Sequence, residues 1–361
     1  MISRYRDIIF LLGAGASAEA GIPTSGEMIR RIEMLLNENE EWCAYEKLYN
    51  HIKSSIHYAA GLNGLFNEAV PYNIETLVNT LYELERNEQH PLYPFIASWN
   101  SRLLALAGPD FKKVRDFRGL ILDQLKQWMS PDDVSKADYY QGFRRLQEEL
   151  NFPLRIFSLN YDLCVERLHC DEFRVETGFG GFGPQFPWDW ERFEEGGIGP
   201  EPPQVYLYKL HGSINWKRDR DTKQLFRVEQ IAGIDAKSME LIFGRDFKLE
   251  AADPYLFYLY AFREASLNAR LIVLIGYGLG DSHINNMLTQ ALRNDKERRL
   301  LLIENCDEEI LDNRRIAVAE TLGVKKDQVV VKTGGAKAFL ETKELGAELQ
   351  GMIPKSSDAP F

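Results

Sequence analysis

Cysteine is scarce: four residues in 361, at Cys43, Cys164, Cys170 and Cys306, with no C-x-x-C pair. That excludes a disulfide framework and a zinc ribbon, and it fits free thiols in a reducing cytoplasm, the expected location. No apolar run approaches the length of a membrane span, so no membrane association is expected. Basic residues are the minority, 43 Lys plus Arg against 54 Asp plus Glu, for a net charge of −11. A field of that sign repels phosphate backbones, and composition shows no basic patch, so direct nucleic-acid binding is not expected. No internal repeat, heptad run or metal-ligand cluster stands out, and no metal is expected. What is present is ordinary globular material, 45% hydrophobic and 27% charged. That suffices for one large α/β domain or two modest ones.

The first residues have the outline of a signal peptide: Arg4 and Arg6, apolar Ile8–Leu12, then Ala16-Ser17-Ala18. The apolar run is short for that purpose and Asp7 stands at its front, so the segment reads better as a buried strand entering a glycine turn. Further short apolar runs have the same character: Leu154–Leu159, Val205–Leu210, Ala269–Ile275, Arg299–Ile303 and Gln328–Lys332. Continuous apolar runs of this length are typical of parallel strands covered on both faces. Helical patterns lie between them, including Ile74–Arg86, Phe117–Trp128, Tyr255–Leu267, Ile284–Leu292 and Glu308–Leu322. The alternation predicts an α/β fold, a Rossmann-like doubly wound parallel sheet spanning residues 1–340. Residues 29–150 show helical periodicity and almost no strand signal, which predicts a helical subdomain inserted after the first βα unit. Residues 173–203 are rich in Gly, Pro and aromatics and read either as a loop or lid over a site or as a surface excursion with packed aromatics. Residues 341–361 are expected to form a C-terminal tail, its last ten residues frayed.

The chemistry-bearing motifs sit at predicted strand ends. Leu12-Gly13-Ala14-Gly15-Ala16-Ser17-Ala18 follows the first strand, with Gly13, Gly15 and Ala18 in the G-x-G-x-x-G/A spacing. Such a turn lets backbone approach a pyrophosphate, and the helix that follows offers N–H groups and a positive dipole end. The alternative is a plain glycine turn joining strand to helix. The acidic residue usually found about 20 residues further on in a dehydrogenase, to hold a ribose, has no convincing counterpart.

Past the turn the sequence reads GAGASAEAGIPT, with Gly21-Ile22-Pro23-Thr24 at its end. This resembles the opening motif of the sirtuin superfamily. Three further segments match in order. Ser158-Leu159-Asn160-Tyr161-Asp162 resembles the sirtuin Gln-Asn-x-Asp strand end, and Lys209-Leu210-His211-Gly212-Ser213 resembles its His-Gly motif. Leu274-Ile275-Gly276-Tyr277-Gly278-Leu279-Gly280-Asp281 resembles the segment that cradles the adenosine half of the dinucleotide. The wording NYD, KLHGSINW and GYGLGDSHINN is similar to the bacterial sirtuin-like branch, and the four-cysteine zinc module of the deacylases is absent. The resemblance implies NAD⁺ as substrate, and NAD⁺ hydrolysis in antiphage defence. It implies a dinucleotide site at Gly13, Ala14, Gly15, Ser17, Ile22, Pro23, Thr24, Gly276, Tyr277, Asp281 and Asn305, shared with Asn160 and Asp162. It also implies catalysis by Asn160, Asp162 and His211.

The residue chemistry agrees with that implication. Breaking the nicotinamide–ribose bond passes through an oxocarbenium-like state, and nicotinamide is already a cationic leaving group. The site must hold the ribose, position a water and exclude bulk solvent. Asn160 can orient a ribose hydroxyl or the water. His211 can accept a proton near neutral pH. Asp162 either accepts from the nicotinamide carboxamide or caps the following turn, and Asp281 either reaches the adenosine ribose or caps the helix after it. Two other readings remain open at this level: a deacylase or ADP-ribosyltransferase using the same site, and a weakly catalytic NAD⁺ or ADP-ribose binding subunit. A constitutive NAD⁺ hydrolase would be toxic, so residues 29–150 are expected to serve a homo-oligomer or a separate partner, a HerA-type ATPase being the one the resemblance implies.

Overall fold

A computed structural model of the chain describes residues 7–66, 70, 72–87, 101–108, 110–131, 133–180, 185–194, 202–219, 221–229, 231, 239–241 and 253–354. The first six residues of the signal-peptide-like segment, residues 181–184 and 195–201 of the aromatic loop, and residues 355–361 of the expected tail lie outside the described residues.

Seven strands form one parallel sheet: β1 (Ile8–Leu12), β2 (Leu154–Ser158), β3 (Val175–Glu176), β5 (Val205–Lys209), β9 (Leu271–Ile275), β10 (Arg299–Ile303) and β11 (Val329–Lys332). Their order is β11-β10-β9-β1-β2-β5-β3. The chain goes from β1 to β2, out to the short edge strand β3 and back to β5 between them, then crosses to the other side of β1 and winds outward through β9, β10 and β11. The strand order therefore reverses between β1 and β9, where Ile8 to Leu12 pair in register with Leu271 to Ile275. A crevice opens beyond the carboxyl ends of two such strands.

Strand side chains alternate between the faces, and each strand splits its apolar run accordingly. Ile8, Phe10 and Leu12 join Ile156, Val273, Ile275 and Ile303 in a core shared with the helices of residues 25–150. Ile9 and Leu11 point the other way and pack with Phe157, Ile272, Leu274 and Leu302 against helices Tyr255–Asn268, Ser282–Asn294 and Leu311–Leu322. Burial on both faces is why the central strands β1 and β9 are apolar at every position.

The interval between β1 and β2 contains helices Ser25–Glu38, Glu40–Cys43, Glu46–Leu62, Ile74–Asn87, Ser101–Ala107, Lys112–Trp128 and Gly142–Leu150. No helix among the described residues is long and apolar enough to cross a membrane.

Three features differ from the sequence-based expectation. A second, antiparallel sheet of order β4-β7-β6-β8 is present, with β4 (Gln185–Pro187), β6 (Gly212–Arg218), β7 (Leu225–Val228) and β8 (Met239–Leu241). Its strands are short and several of their residues are polar, so no apolar run marks them. The glycine turn leads into a 3-10 helix, Ala14–Ala20, and a regular α-helix begins only at Ser25. Left-handed Gly21 (φ 86°) ends that first turn and redirects the chain into Ile22-Pro23. Beyond residue 341, Leu345–Met352 is a helix whose Leu345 and Leu349, one turn apart, enter the first core. The Gly346 N–H donates to Glu149 Oε2 at 2.6 Å, so this part of the expected tail is anchored to helix Gly142–Leu150.

In the aromatic loop, Trp188 and Phe193 pack edge-on against Tyr258, and Phe179 packs against Trp216 at 4.9 Å between ring centroids. Arg192 makes a bidentate pair with buried Glu176, both bonds 2.9 Å. These contacts tie the described part of the loop to the sheet face opposite the helical segment.

Candidate active site

The two glycine turns at the switch point are interlocked. Gly13 N–H donates to Ile275 O and Gly15 N–H to Gly276 O, each at 2.9 Å, and Gly276 N–H donates to Ile303 O. A Cβ on Gly13 would stand 2.6 Å from Gly276 O, and one on Gly276 would stand 2.1 Å from Ala16 N. Gly276 also has a φ of +63°, left-handed backbone that side chains oppose. The glycines are therefore required by the approach of β1 and β9 to one another. The amides of Gly13 and Gly15 are engaged in that contact, so the phosphate-cradling role expected of them is not theirs in this conformation.

Around this joint lies a cavity of about 540 Å³. Of the residues singled out from sequence, Gly13, Ala14, Gly15, Ile22, Pro23, Thr24, Asn160, Asp162, His211, Gly276, Tyr277, Asp281 and Asn305 line it. Ser17 does not line it, but stands behind the wall as the hub of a buried polar cluster. Its hydroxyl donates to Asp162 Oδ2 at 2.7 Å and accepts from Asn160 Nδ2 at 3.0 Å. With its one proton on Asp162, Ser17 can only accept from the Tyr140 hydroxyl, 2.9 Å away, which completes the capacity of a serine oxygen. The same count fixes the Asn160 amide: Nδ2 faces Ser17, leaving Oδ1 as its open atom.

Asp162 makes the local contacts of its capping alternative and also lines the cavity. Oδ1 accepts from the Cys164 N–H at 3.0 Å while Oδ2 takes the Ser17 hydroxyl. Buried Lys209, paired with Glu166 at 3.1 Å, donates to the Asp162 carbonyl and holds the segment from below. Burial pushes the Glu166 carboxyl above its usual range, against the pull of the Lys209 ammonium.

His211 follows β5 and is only 3% exposed. The next residue, Gly212, adopts φ +88°, which turns the chain from the parallel sheet into β6. Its Nε2 lies 3.1 Å from Asp281 Oδ2. A carboxylate only accepts, so in the neutral ring Nε2 carries the proton and Nδ1 keeps its lone pair. Nδ1 has no hydrogen-bond partner among the described residues, and Glu75 Oε1 stands 3.9 Å from it. Asp281 also caps helix Ser282–Asn294, with Oδ1 accepting from His283 N and Ile284 N. Capping and histidine orientation thus fall to different oxygens of one carboxylate.

Tyr277 contributes a wall, and its hydroxyl accepts from Asp281 N–H at 3.2 Å and lies 2.9 Å from Asn285 Oδ1. Burial first, and the Asp281 charge second, push that phenol well above its usual range, so it stays neutral. Burial, followed by the charges of Glu75 and Asp281 and by Tyr255, does the same to Tyr161, whose ring centre is 6.2 Å from that of His211. Neither phenol competes with His211 as a base. His169 is structural: Nδ1 accepts from Val175 N–H at 3.1 Å, and burial holds its pKa below the usual value.

Sequence reasoning missed Asn73, Ile74, Glu75 and Met129 in the lining, whereas Glu304, beside Asn305 at a strand end, was expected there. The first three begin helix Ile74–Asn87, where Asn73 Oδ1 caps Thr76 N–H at 2.9 Å, so this helix points its first turn at the cavity. Its carboxylates, Glu19, Glu75, Asp162, Asp281 and Glu304, face no Lys or Arg within the lining. No group of His, Cys, Asp and Glu among the described residues could hold a metal ion.

Replacing Ser17 with Ala should be costly because it strands three buried partners at once. Loss of about 2–3 kcal/mol of stability is expected from leaving the Asp162, Asn160 and Tyr140 groups short of a bond, read by denaturant unfolding. A change below about 0.5 kcal/mol would contradict the hub role.

Residues 154–325 match the family model for a SIR2-like domain. No curated protein matches the chain. Among solved structures, a Sir2 homologue in complex with NAD aligns over 97% of this chain and 93% of its own, at 14% identity and a TM-score of 0.43. A mutant Sir2 homologue in complex with ADP-ribose aligns over 95% and 92%, at 14% identity and a TM-score of 0.42. The domain match covers β2, His211, the second sheet and the Gly276 turn, so residues 154–325 are similar to a SIR2-like domain.

Proposed function

We propose that the protein is an NAD⁺ glycohydrolase, converting NAD⁺ and water into nicotinamide, ADP-ribose and a proton. The observation that carries this reading is the meeting of Asn160, His211 and a ring of carboxylates in one cavity at the strand-order reversal, with no Lys or Arg among the described residues of its lining. Positive charge develops on the ribose as nicotinamide leaves, and carboxylates such as Glu75, Asp162 and Asp281 favour it. A phosphoryl-transfer or acyl-anion site would want the opposite sign.

The residues divide the work. Asn160, its amide held by Ser17, presents Oδ1 to a ribose hydroxyl or the attacking water. His211, oriented through Nε2 by Asp281, offers Nδ1 as the proton acceptor. Asp162 acts chiefly by fixing Ser17 and, through it, Asn160. The anionic pyrophosphate needs donors other than Gly13 and Gly15, and Thr24, Ser25 and Gly26 line the cavity at the N-terminus of the helix Ser25–Glu38. Free N–H groups and the helix dipole there suit a phosphate. Glu304, gripped by Arg314 at 2.5 and 3.0 Å, and Asn305 are placed for the adenosine ribose beyond β10.

The resemblance to the bacterial branch extends the proposal to NAD⁺ depletion in antiphage defence inside the cytoplasm. Residues 29–150 would then provide the surface for self-assembly or for a HerA-type ATPase.

Nicotinamide release from NAD⁺ should fall by about 100-fold in Asn160→Ala, from loss of one preorganised polar group at the reacting centre. Chromatographic quantification of nicotinamide checks this, and wild-type-like release would remove Asn160 from the reaction.

A further inference from the structure

We infer that Glu75, supplied by the helical segment between β1 and β2, is a positioning residue for His211, stabilising the imidazolium as Nδ1 takes up its proton. This rests on the reading of His211 as the base. The geometry brings two carboxylates to opposite nitrogens of one buried ring: Asp281 Oδ2 3.1 Å from Nε2 and Glu75 Oε1 3.9 Å from Nδ1.

The two contacts are unequal in a useful way. The Asp281 contact is a hydrogen bond in the neutral ring and fixes which nitrogen is protonated. The Glu75 contact is too long for a hydrogen bond, leaving Nδ1 open to a substrate proton. Once that proton arrives, the ring carries a full charge with a carboxylate 3.9 Å from Nδ1, and the attraction between the two charges favours the imidazolium. Glu75 is 27% exposed at its side chain and makes no other ion pair or hydrogen bond among the described residues. The groups facing the ring from each packed element are Asp281 before helix Ser282–Asn294, Glu75 on helix Ile74–Asn87 and Tyr161 after β2, with Tyr277 behind Asp281. None of these groups is a cation.

A first-turn acid also suits a helix dipole, so Glu75 has a purely structural alternative. The conservative variant separates the two. Glu75→Asp keeps the charge at the helix start but withdraws it from the ring by one methylene, whereas Glu75→Gln keeps the length and removes the charge.

The experiment is steady-state NAD⁺ turnover across the range in which imidazole titrates, together with ¹⁵N NMR titration of the His211 ring and thermal unfolding, for wild type and both variants. In Glu75→Gln, kcat should drop by about tenfold with KM for NAD⁺ within about twofold. The acid limb of the profile should move to lower pH, because removing a negative charge disfavours the protonated ring. Glu75→Asp should fall between. The ring titration should move the same way without NAD⁺ present. If His211→Ala abolishes turnover while Glu75→Gln leaves kcat and the acid limb unchanged, the inference about Glu75 is overturned and the NAD⁺ reading stands. If wild type does not consume NAD⁺, that reading falls, and an unchanged His211 ring titration in Glu75→Gln would independently overturn the coupling.

Discussion

His211→Ala should lower NAD⁺ turnover by about 10²–10⁴-fold while leaving the fold and the binding of ADP-ribose intact. That range is what a positioned general base contributes. The loss should be larger than for Asn160→Ala, because Nδ1 is the open nitrogen in a wall whose phenols are held neutral by burial. Isothermal titration with ADP-ribose and single-turnover kinetics with NAD⁺ separate the two effects. Loss of binding in parallel with turnover would mean that His211 shapes the pocket rather than carrying a proton.

Gly276→Ala should have the largest effect on stability. The new Cβ would meet Ala16 N at 2.1 Å and Gly15 C at 2.3 Å, backbone on both counts. Flexible side chains cannot relieve such a collision, and the left-handed φ of +63° adds about 1–2 kcal/mol by itself. Overpacking of a rigid contact adds about 1–3 kcal/mol more. A total near 2–5 kcal/mol is a large share of the stability of an ordinary domain. Denaturant titration should show a markedly lower midpoint, or the variant should fail to accumulate as soluble protein. Gly278→Ala is the internal control, since nothing lies within 4 Å of a Cβ there. Equal stability of the two variants would contradict the interlocked-turn description.

Both predictions concern residues visible in the sequence, and the reason is physical. Strands covered on both faces need mostly apolar residues, so β1, β2, β5, β9, β10 and β11 stand out as short apolar runs, and the residues just beyond them mark the crevice. The expected bounds of β1, Asp7–Leu12 against the observed Ile8–Leu12, show how tightly burial sets them. Tertiary neighbours carry no such mark. Glu75 looks like any acidic residue opening an amphipathic helix, and only the packing of that helix against the sheet brings it to His211. Ser17 was legible as a motif residue, but its position behind the cavity wall follows from Tyr140, Asn160 and Asp162 converging on it from three distant segments. The glycines illustrate a third case: G-x-G was read as close approach to a pyrophosphate, and the structure shows close approach to the Gly276 turn. A local pattern signals that a Cβ is forbidden without saying what would collide with it. The second sheet was invisible because its strands are brief and bear polar residues, such as Lys217 and Arg218 in β6.

The most direct test of the glycohydrolase reading is a product balance: purified protein incubated with NAD⁺, alone and with a genomically neighbouring ATPase, with every nucleotide product quantified by chromatography and mass spectrometry. Nicotinamide and ADP-ribose formed in equal amounts, each matching the NAD⁺ consumed, is the expected result. NAD⁺ that binds but remains intact in both assemblies, or nicotinamide released only when an acylated peptide is added, would contradict it.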